Sequence, residues 1–218
     1  MLRRLAEMTR FPLRGAPDLR EAMQSRLAVA RLSGSLKNLA LELTRIANDL
    51  RLLSSGPTTG LAEIHLPPVQ PGSSIMPGKV NPVMLECLNM IAFQVIGNDL
   101  TVALAVQAGQ MELNVMMPVM IHNVLESMEI LKNFLPVLVA RCVDGIAVDE
   151  DRCRAYLEMS PALATALSPR IGYLKAAEVA KESLERHMSI KDIVREKGLL
   201  PAAEIEEALD PSALVDPV

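Results

Sequence analysis

The sequence predicts an all-α protein: a bundle of long helices followed by a small helical domain. Of its 218 residues, 50% are hydrophobic but only 2% are aromatic, and glycine is sparse. A core of leucine, alanine, valine, isoleucine and 13 methionines is typical of packed helices rather than of a β-sandwich. The second observation is that apolar residues recur every three or four positions over long stretches.

Composition excludes several classes of function. The net charge of −4 offers no basic surface for nucleic acid, and aromatic side chains that could stack on bases are nearly absent. Cys87, Cys142 and Cys153 show no CxxC spacing, which indicates reduced thiols. The first residues lack the apolar run of a signal peptide, and polar residues interrupt the most apolar stretch, 88–108. We therefore expect a soluble cytoplasmic protein with no nucleic-acid or membrane partner.

The first long helix is predicted from Asp18 to about Ser55, with Asp18 as its N-cap after Pro17. Its apolar residues keep helical spacing without an interrupting proline, and a helix of that length would run about 55 Å. Such a length favours an extended bundle or the core of an oligomer. Residues 56–80 hold five prolines and four glycines between helical flanks, which predicts a long functional loop rather than disorder.

The second long helix is predicted to begin near Asn81 and Pro82, with proline in its first turn, and to end at about Ala108. Residues 109–118 then interrupt the helical pattern. Within this interruption we expect Glu112 and Asn114 to have a structural role in the helix break, and a functional role is the alternative.

The third long helix is predicted from Val119 to about Val143, opened by Pro118. One face of this helix carries Leu125, Met128, Leu131, Leu135 and Leu138. We expect packing, not a binding surface, from Met116, Met117 and Met120. After Asp144 and Gly145 the periodic segments shorten, to Glu150–Met159, Pro161–Leu167, Tyr173–His187, Ile190–Glu196 and Ala202–Ala208. This change predicts two domains, 1–145 and 146–218.

The string GSSIMPGKVNP at 72–82 carries the chemistry. It places two hydroxyls, a cation and a carboxamide on a loop that leads into a helix N-terminus. Free backbone amides, the helix dipole and Lys79 together predict a site for an anion such as a carboxylate. A serine acts as a base only when its alkoxide is stabilised, which backbone donors and a nearby cation would do. The alternative is a structural loop whose serines cap turns and whose lysine is solvated.

This string resembles the fumarase/aspartase superfamily, as do NDLRLLSSGP at 48–57 and QAGQMELNVMMP at 107–118. IGYLKAAEVAKES at 171–183 and GLLPAAEIEEALDP at 198–211 are similar to the small C-terminal domain of that superfamily. Within it, LRLLSSGP and QAGQMELNVM are most similar to the aspartate ammonia-lyase branch, and class II fumarases are the alternative. Argininosuccinate and adenylosuccinate lyases fit less well. The resemblance implies an incomplete bundle of this type in 1–145, with a serine loop at 70–82.

Members of the superfamily remove a β-proton from a succinyl-type substrate and expel an amine or water through an aci-carboxylate, leaving fumarate. The resemblance implies that Ser73 is the general base, on a loop that closes over a small dicarboxylate. The residues that it assigns to substrate binding are Ser74, Lys79 and Asn81. Those that it assigns a supporting role are Gly72, Ile75, Met76, Gly78 and Glu86. It implies no metal and no organic cofactor.

The resemblance covers only the second half of such proteins. Glu86 matches an acid that orients a catalytic histidine in many members, but the T-H-x-Q-type stretch that carries this histidine does not occur here. An ordinary acid at a helix N-terminus is the alternative reading of Glu86. His65, His122 and His187 match no catalytic position.

In the superfamily each active site combines segments from three subunits of a tetramer. We therefore expect a homotetramer in the full-length form, and little or no lyase activity from these 218 residues alone. The apolar faces of the three long helices are expected to be exposed in the isolated chain. The alternative to a part of an enzyme is a non-catalytic remnant or helical scaffold.

Overall fold

Long helices dominate the structure, a computed structural model that describes residues 1–210. The first compact unit ends at Ala147 and the second begins at Val148; residues 211–218 of the predicted second domain lie outside the described range. The helices of the first unit are α1 (Leu2–Thr9), α2 (Leu19–Gln24), α3 (Leu27–Leu53), α4 (Val83–Gln107) and α5 (Met117–Arg141). Those of the second are α6 (Glu150–Glu158), α7 (Ala164–Ile171), α8 (Tyr173–Arg186), α9 (Ile190–Glu196) and α10 (Ala202–Ala208). The short strands β1 (Ile64–His65) and β2 (Ala147–Val148) pair with each other. The all-α prediction is confirmed.

The predicted first helix is wrong in one respect, because it is broken at Ser25. Asp18 is the N-cap as predicted, and its carboxylate accepts hydrogen bonds from the amides of the first turn of α2. At the other end of α2, Ser25 is extended and the Arg26 guanidinium donates to the carbonyl oxygens of Ala22 (2.6 Å) and Met23 (2.7 Å). These bonds satisfy carbonyls that the helix leaves without a partner, so the break is stabilised by a side chain that the apolar spacing does not register. The sequence analysis also missed α1.

Two apolar clusters hold α3, α4 and α5 together. The first contains Ala47, Leu85, Leu88, Leu138 and Cys142, and the second contains Ala40, Ala92, Val95 and Leu131. Alanines on facing surfaces let the helix axes approach closely, and each fully buried leucine contributes about 1.5–3 kcal/mol. Burial raises the pKa of the Cys142 thiol, which lowers its reactivity.

The apolar face of α5 is only partly buried. Leu131 and Leu138 are buried, whereas Leu125 and Met128 are exposed. Polar residues take the inward positions in their place: Asn123 and Ser127 are buried, and the Ser127 hydroxyl accepts a hydrogen bond from the Asn98 amide of α4 at 3.0 Å. The apolar residues alone therefore do not identify the face of α5 that packs inward.

Polar pairs fix the antiparallel register of α3 against α4. Asp99 of α4, which is buried, accepts hydrogen bonds from Ser33 (2.7 Å) and Lys37 (2.6 Å) of α3. Further along, the Asn89 amide donates to Asn48 at 2.8 Å.

Among the described helices, α4 alone is long and apolar enough to cross a membrane by length and composition, yet it buries these polar side chains against its neighbours.

The break between α4 and α5 is organised by Asn114, as predicted. Its side chain is fully buried and donates to the carbonyls of Ala105 (3.0 Å) and Val106 (3.1 Å), in the last turn of α4. Its carbonyl oxygen accepts from the amide of Met116. Glu112 is exposed, and the prediction of packed methionines holds for Met120 only, since Met116 and Met117 are exposed.

The second unit is organised around a core of its own. Its buried residues come from each of α7 to α10 and include Leu167, Val179 and Ile193. On its surface Glu182 pairs with Lys197 (2.5 Å) and Arg186 (2.7 Å). Hydrogen bonds from Lys197 and then Arg186 hold the pKa of Glu182 below its usual range.

Candidate active site

The serine loop, residues 70–82, is closed by its own backbone. The Gly72 amide donates to the Lys79 carbonyl at 2.8 Å, and the Asn81 side-chain amide donates to the Gly72 carbonyl at 2.9 Å. A Cβ on Gly72 would lie 2.5 Å from the Lys79 carbonyl oxygen, so this close approach requires glycine. Gly78 has a φ of 78°, a left-handed conformation that also favours glycine. The sequence therefore determines the shape of this loop through two glycines and one asparagine.

Ser73 lies within the closed loop, and its hydroxyl oxygen accepts two hydrogen bonds from backbone amides. The amides of Ile75 and Met76 both donate to Ser73 Oγ at 3.2 Å. The resemblance assigned these amides a supporting role, and the structure directs them to the oxygen of the serine itself. Two backbone donors at one oxygen would stabilise negative charge on it, which a serine base requires. The same bonds, from amides two and three residues further along, are those of a serine that caps a turn, which is the alternative stated above.

Two clefts flank the serine loop. A cleft of about 510 Å³ is lined by Ser73, Met76, Gly78 and Lys79, together with residues 68–71. A second cleft, of about 740 Å³, is lined by residues from the end of α3, the loop and the start of α4, among them Asn81. Lys79 is exposed and borders both clefts, so the structure brings it together with Ser73 on one side and with Asn81 on the other.

Not every predicted site residue lines one of these clefts, and one histidine that was not predicted does. Ser74 and Ile75 are exposed and line neither cleft. His65, which matched no catalytic position, lies on β1 and lines the second cleft, whereas His122 is exposed on α5 and His187 caps the end of α8. Within residues 1–210, no group of three or more His, Cys, Asp or Glu side chains is arranged to hold a metal ion.

The sequence analysis did not single out Arg51 as a site residue. It lies in the last turn of α3 and lines the second cleft with Glu86, which is in the first turn of α4. The Arg51 Nη2 atom lies 3.9 Å from Glu86 Oε1. Only the antiparallel packing of α3 and α4 brings the two side chains together across the 29-residue connection, and no local motif signals it.

Comparisons with known proteins place this chain in a family. The family model described as Lyase matches residues 1–97, and the one described as Fumarase C C-terminus matches residues 163–216. The aspartate ammonia-lyase of Bacillus subtilis is 46% identical over 217 residues, which is 100% of this chain and 46% of that protein. The chain belongs to the fumarase/aspartase superfamily.

Solved structures of the superfamily agree with this assignment. A fumarate lyase:delta crystallin from Brucella melitensis superposes with a TM-score of 0.93 at 46% identity, covering 99% of this chain and 47% of that one. A class II fumarase from Schistosoma mansoni gives a TM-score of 0.86 at 33% identity, covering 94% of this chain and 43% of its own. The chain thus spans about half the length of the superfamily members that it matches.

Proposed function

We propose that this chain supplies the proton-abstracting part of an aspartate ammonia-lyase, which reversibly converts L-aspartate to fumarate and ammonia. The observation that carries the proposal is the pair of amides that donate to Ser73 Oγ. The similarity to proteins named aspartate ammonia-lyase supports the choice of substrate. The chemistry uses acid–base and electrostatic groups, and we assign no metal or organic cofactor to it.

In this proposal the Ser73 alkoxide removes the Cβ proton of the substrate. The electron pair left on Cβ delocalises onto the β-carboxylate as an aci-carboxylate, and returns to form the Cα–Cβ double bond as the C–N bond breaks. Lys79, Asn81 and Ser74 hold the carboxylate on which charge develops. Fixed donors at the carboxylate oxygens on which charge develops are the largest contribution such a site makes to the rate. Lys79, which lines the first cleft together with Ser73, favours negative charge on both the serine and the substrate.

We further propose that the site is completed by segments outside these residues and that the chain alone releases little fumarate. Ser73 and Asn81 line different clefts, and Ser74 and Lys79 are exposed, so the loop as it stands does not enclose a dicarboxylate. Enclosure by a further segment would exclude water and strengthen each of these interactions.

Assembly into a homotetramer is part of the same proposal. Met90, Phe93, Leu100 and Leu104 are all more than half exposed on α4. At 100° per residue they form a stripe on the side opposite the buried residues of this helix. An apolar stripe of this length, exposed to water, favours association with other helices. We propose the cytoplasm as the location, consistent with reduced thiols.

The test supplies the missing segments. The chain is co-expressed with the part of the Bacillus subtilis relative that precedes the matched segment, and fumarate release is followed by its ultraviolet absorbance. We expect release from L-aspartate, and a loss of roughly 100- to 10,000-fold in Ser73→Ala. The matched control is Ser35→Ala, since the Ser35 hydroxyl is exposed on α3 and bonds only within its own helix. Release from L-malate instead would identify a fumarase. A folded, tetrameric and inactive complex would indicate a non-catalytic remnant.

A further inference from the structure

Both peptide groups of Gly72, the residue before Ser73, are held by hydrogen bonds. Its N–H donates to the Lys79 carbonyl at 2.8 Å, and its carbonyl accepts from the Asn81 side-chain amide at 2.9 Å. Residues 74–80 are exposed, whereas Gly72, Ser73 and Asn81 are half-buried. These two bonds therefore tie the backbone next to Ser73 to the other end of the serine loop.

Asn81 connects this contact to the packed part of the fold. It directly precedes Pro82, which disfavours a helical backbone at Asn81, and α4 begins at Val83. The Asn81 carbonyl accepts from the Val83 amide at 2.8 Å, and Leu85 in the first turn of α4 is buried. The backbone of Asn81 is therefore fixed by its attachment to α4, and its side chain holds Gly72 from that end.

The Asn81 side chain can make a second hydrogen bond. A primary amide carries two N–H donors and one carbonyl acceptor, and the Gly72 carbonyl takes one N–H. Asn81 also lines the second cleft, together with Lys79. The proposed function places a substrate carboxylate against these two residues. That carboxylate would accept the second N–H without displacing the Gly72 carbonyl.

We propose that Asn81 positions the base as well as binding substrate: one N–H holds the Gly72 carbonyl while the other holds the substrate carboxylate. A single side chain then sets the distance between Ser73 and the carboxylate on which charge develops. Rates depend steeply on such distances, since a misplacement of about 1 Å costs roughly 100-fold. The inference rests on the proposed function for the substrate contact, whereas the bond to Gly72 is present in this chain by itself.

The first test does not depend on activity. In the 218-residue chain, Asn81→Ala removes the bond to the Gly72 carbonyl and is expected to speed amide exchange at residue 72 by about 2- to 13-fold. Asn81→Asp keeps the size of the side chain but has no N–H donor, and is expected to speed exchange at least as much. Asn38→Ala is the matched control, because Asn38 is exposed on α3 and lines neither cleft. Unchanged exchange at residue 72 in both Asn81 variants overturns the proposal.

A double-mutant cycle in the co-expressed complex separates the two roles of Asn81. Its second substitution is Gly72→Ala, which disrupts the same closure of the loop. Asn81→Ala alone is expected to raise KM for L-aspartate and to lower kcat by roughly 10- to 100-fold. In the Gly72→Ala background the rise in KM is expected to persist, whereas kcat falls by less than about threefold. Effects on kcat that multiply would mean that Asn81 acts on the substrate alone, and the proposal would then be wrong.

Succinate, a dicarboxylate without the leaving amine, tests whether the carboxylate and Gly72 share the Asn81 amide. At about ten times its Kd, succinate is expected to slow deuterium uptake by residues 70–82 of the co-expressed complex by up to about tenfold, and to have little effect in Asn81→Ala. Faster uptake with succinate would show that the ligand displaces the Gly72 carbonyl, contrary to the proposal. A parent complex without activity refutes the proposed function and with it the substrate contact. Exchange at residue 72 in the 218-residue chain still decides whether Asn81 holds the loop.

Discussion

Replacing Gly72 with alanine tests how the serine loop is closed. The new Cβ would lie 2.5 Å from the Lys79 carbonyl oxygen and 2.9 Å from the carbonyl carbon, so the backbone at residue 72 must move away from the backbone at Lys79. That oxygen is the acceptor of the Gly72 amide, and the Gly72 carbonyl is the acceptor of Asn81. Each bond contributes about 0.5–1.5 kcal/mol, so the closed loop loses about 1–3 kcal/mol. Its population relative to open forms then falls by roughly 5- to 150-fold.

Amide hydrogen exchange measures this opening directly. We expect exchange to accelerate by that factor at residue 72, and at Ile75 and Met76, whose amides depend on Ser73 being held in place. The matched control is Gly97→Ala in α4, where an added Cβ meets nothing within 4 Å. This control should leave loop exchange unchanged and stabilise the helix by up to about 1 kcal/mol. Slow exchange at residue 72 in a folded Gly72→Ala chain would refute the reasoning.

Three further predictions concern stability. Asp99→Ala leaves the buried Ser33 hydroxyl without its acceptor. In urea denaturation it should lower the free energy of unfolding by about 2–3 kcal/mol. The exposed control Asp49→Ala should lower it by less than about 0.5 kcal/mol. Asn114→Ala removes the bonds at the end of α4 and should cost about 2–4 kcal/mol by thermal unfolding, with helix content otherwise retained. Pairing with Lys197 lowers the pKa of Glu182 in the folded chain relative to the unfolded chain. The pairing therefore stabilises the fold at pH values above the unfolded-state pKa, and this stabilisation is lost as the pH falls through the folded-state pKa. Glu182→Gln should therefore flatten the acid-side decline of Tm between neutral pH and about pH 3.

Much of the fold could be predicted from the sequence because helices are determined by local spacing. The ends of α4 and of the helices in the second unit lie within a few residues of the predicted ones. The errors have two different causes. The break at Ser25 is local, because the Arg26 side chain folds back onto carbonyls three and four residues earlier, which the apolar spacing does not register. The face of α5 that packs inward depends on a non-local polar contact with Asn98.

For the candidate site, too, the sequence indicated the residues but not all of their contacts. The serine, the lysine and the asparagine lie within one short string, so the sequence alone indicated them, and the similarity to known lyases supports the family. Their individual roles stay predictions that the Ser73→Ala experiment addresses. The sequence did not indicate that Lys79 borders two clefts, or that the Asn81 amide is used to close the loop.

The local features follow from the sequence alone: most of the helices, the N-cap at Asp18, and a glycine- and proline-shaped loop that carries hydroxyls and a cation. These depend on residues within a few positions of one another, whose conformations follow from backbone sterics and helical periodicity. The tertiary structure decided which side chains meet. Arg51 and Glu86 are 35 positions apart, and only the antiparallel packing of α3 and α4, fixed by buried polar pairs, brings them to the wall of one cleft.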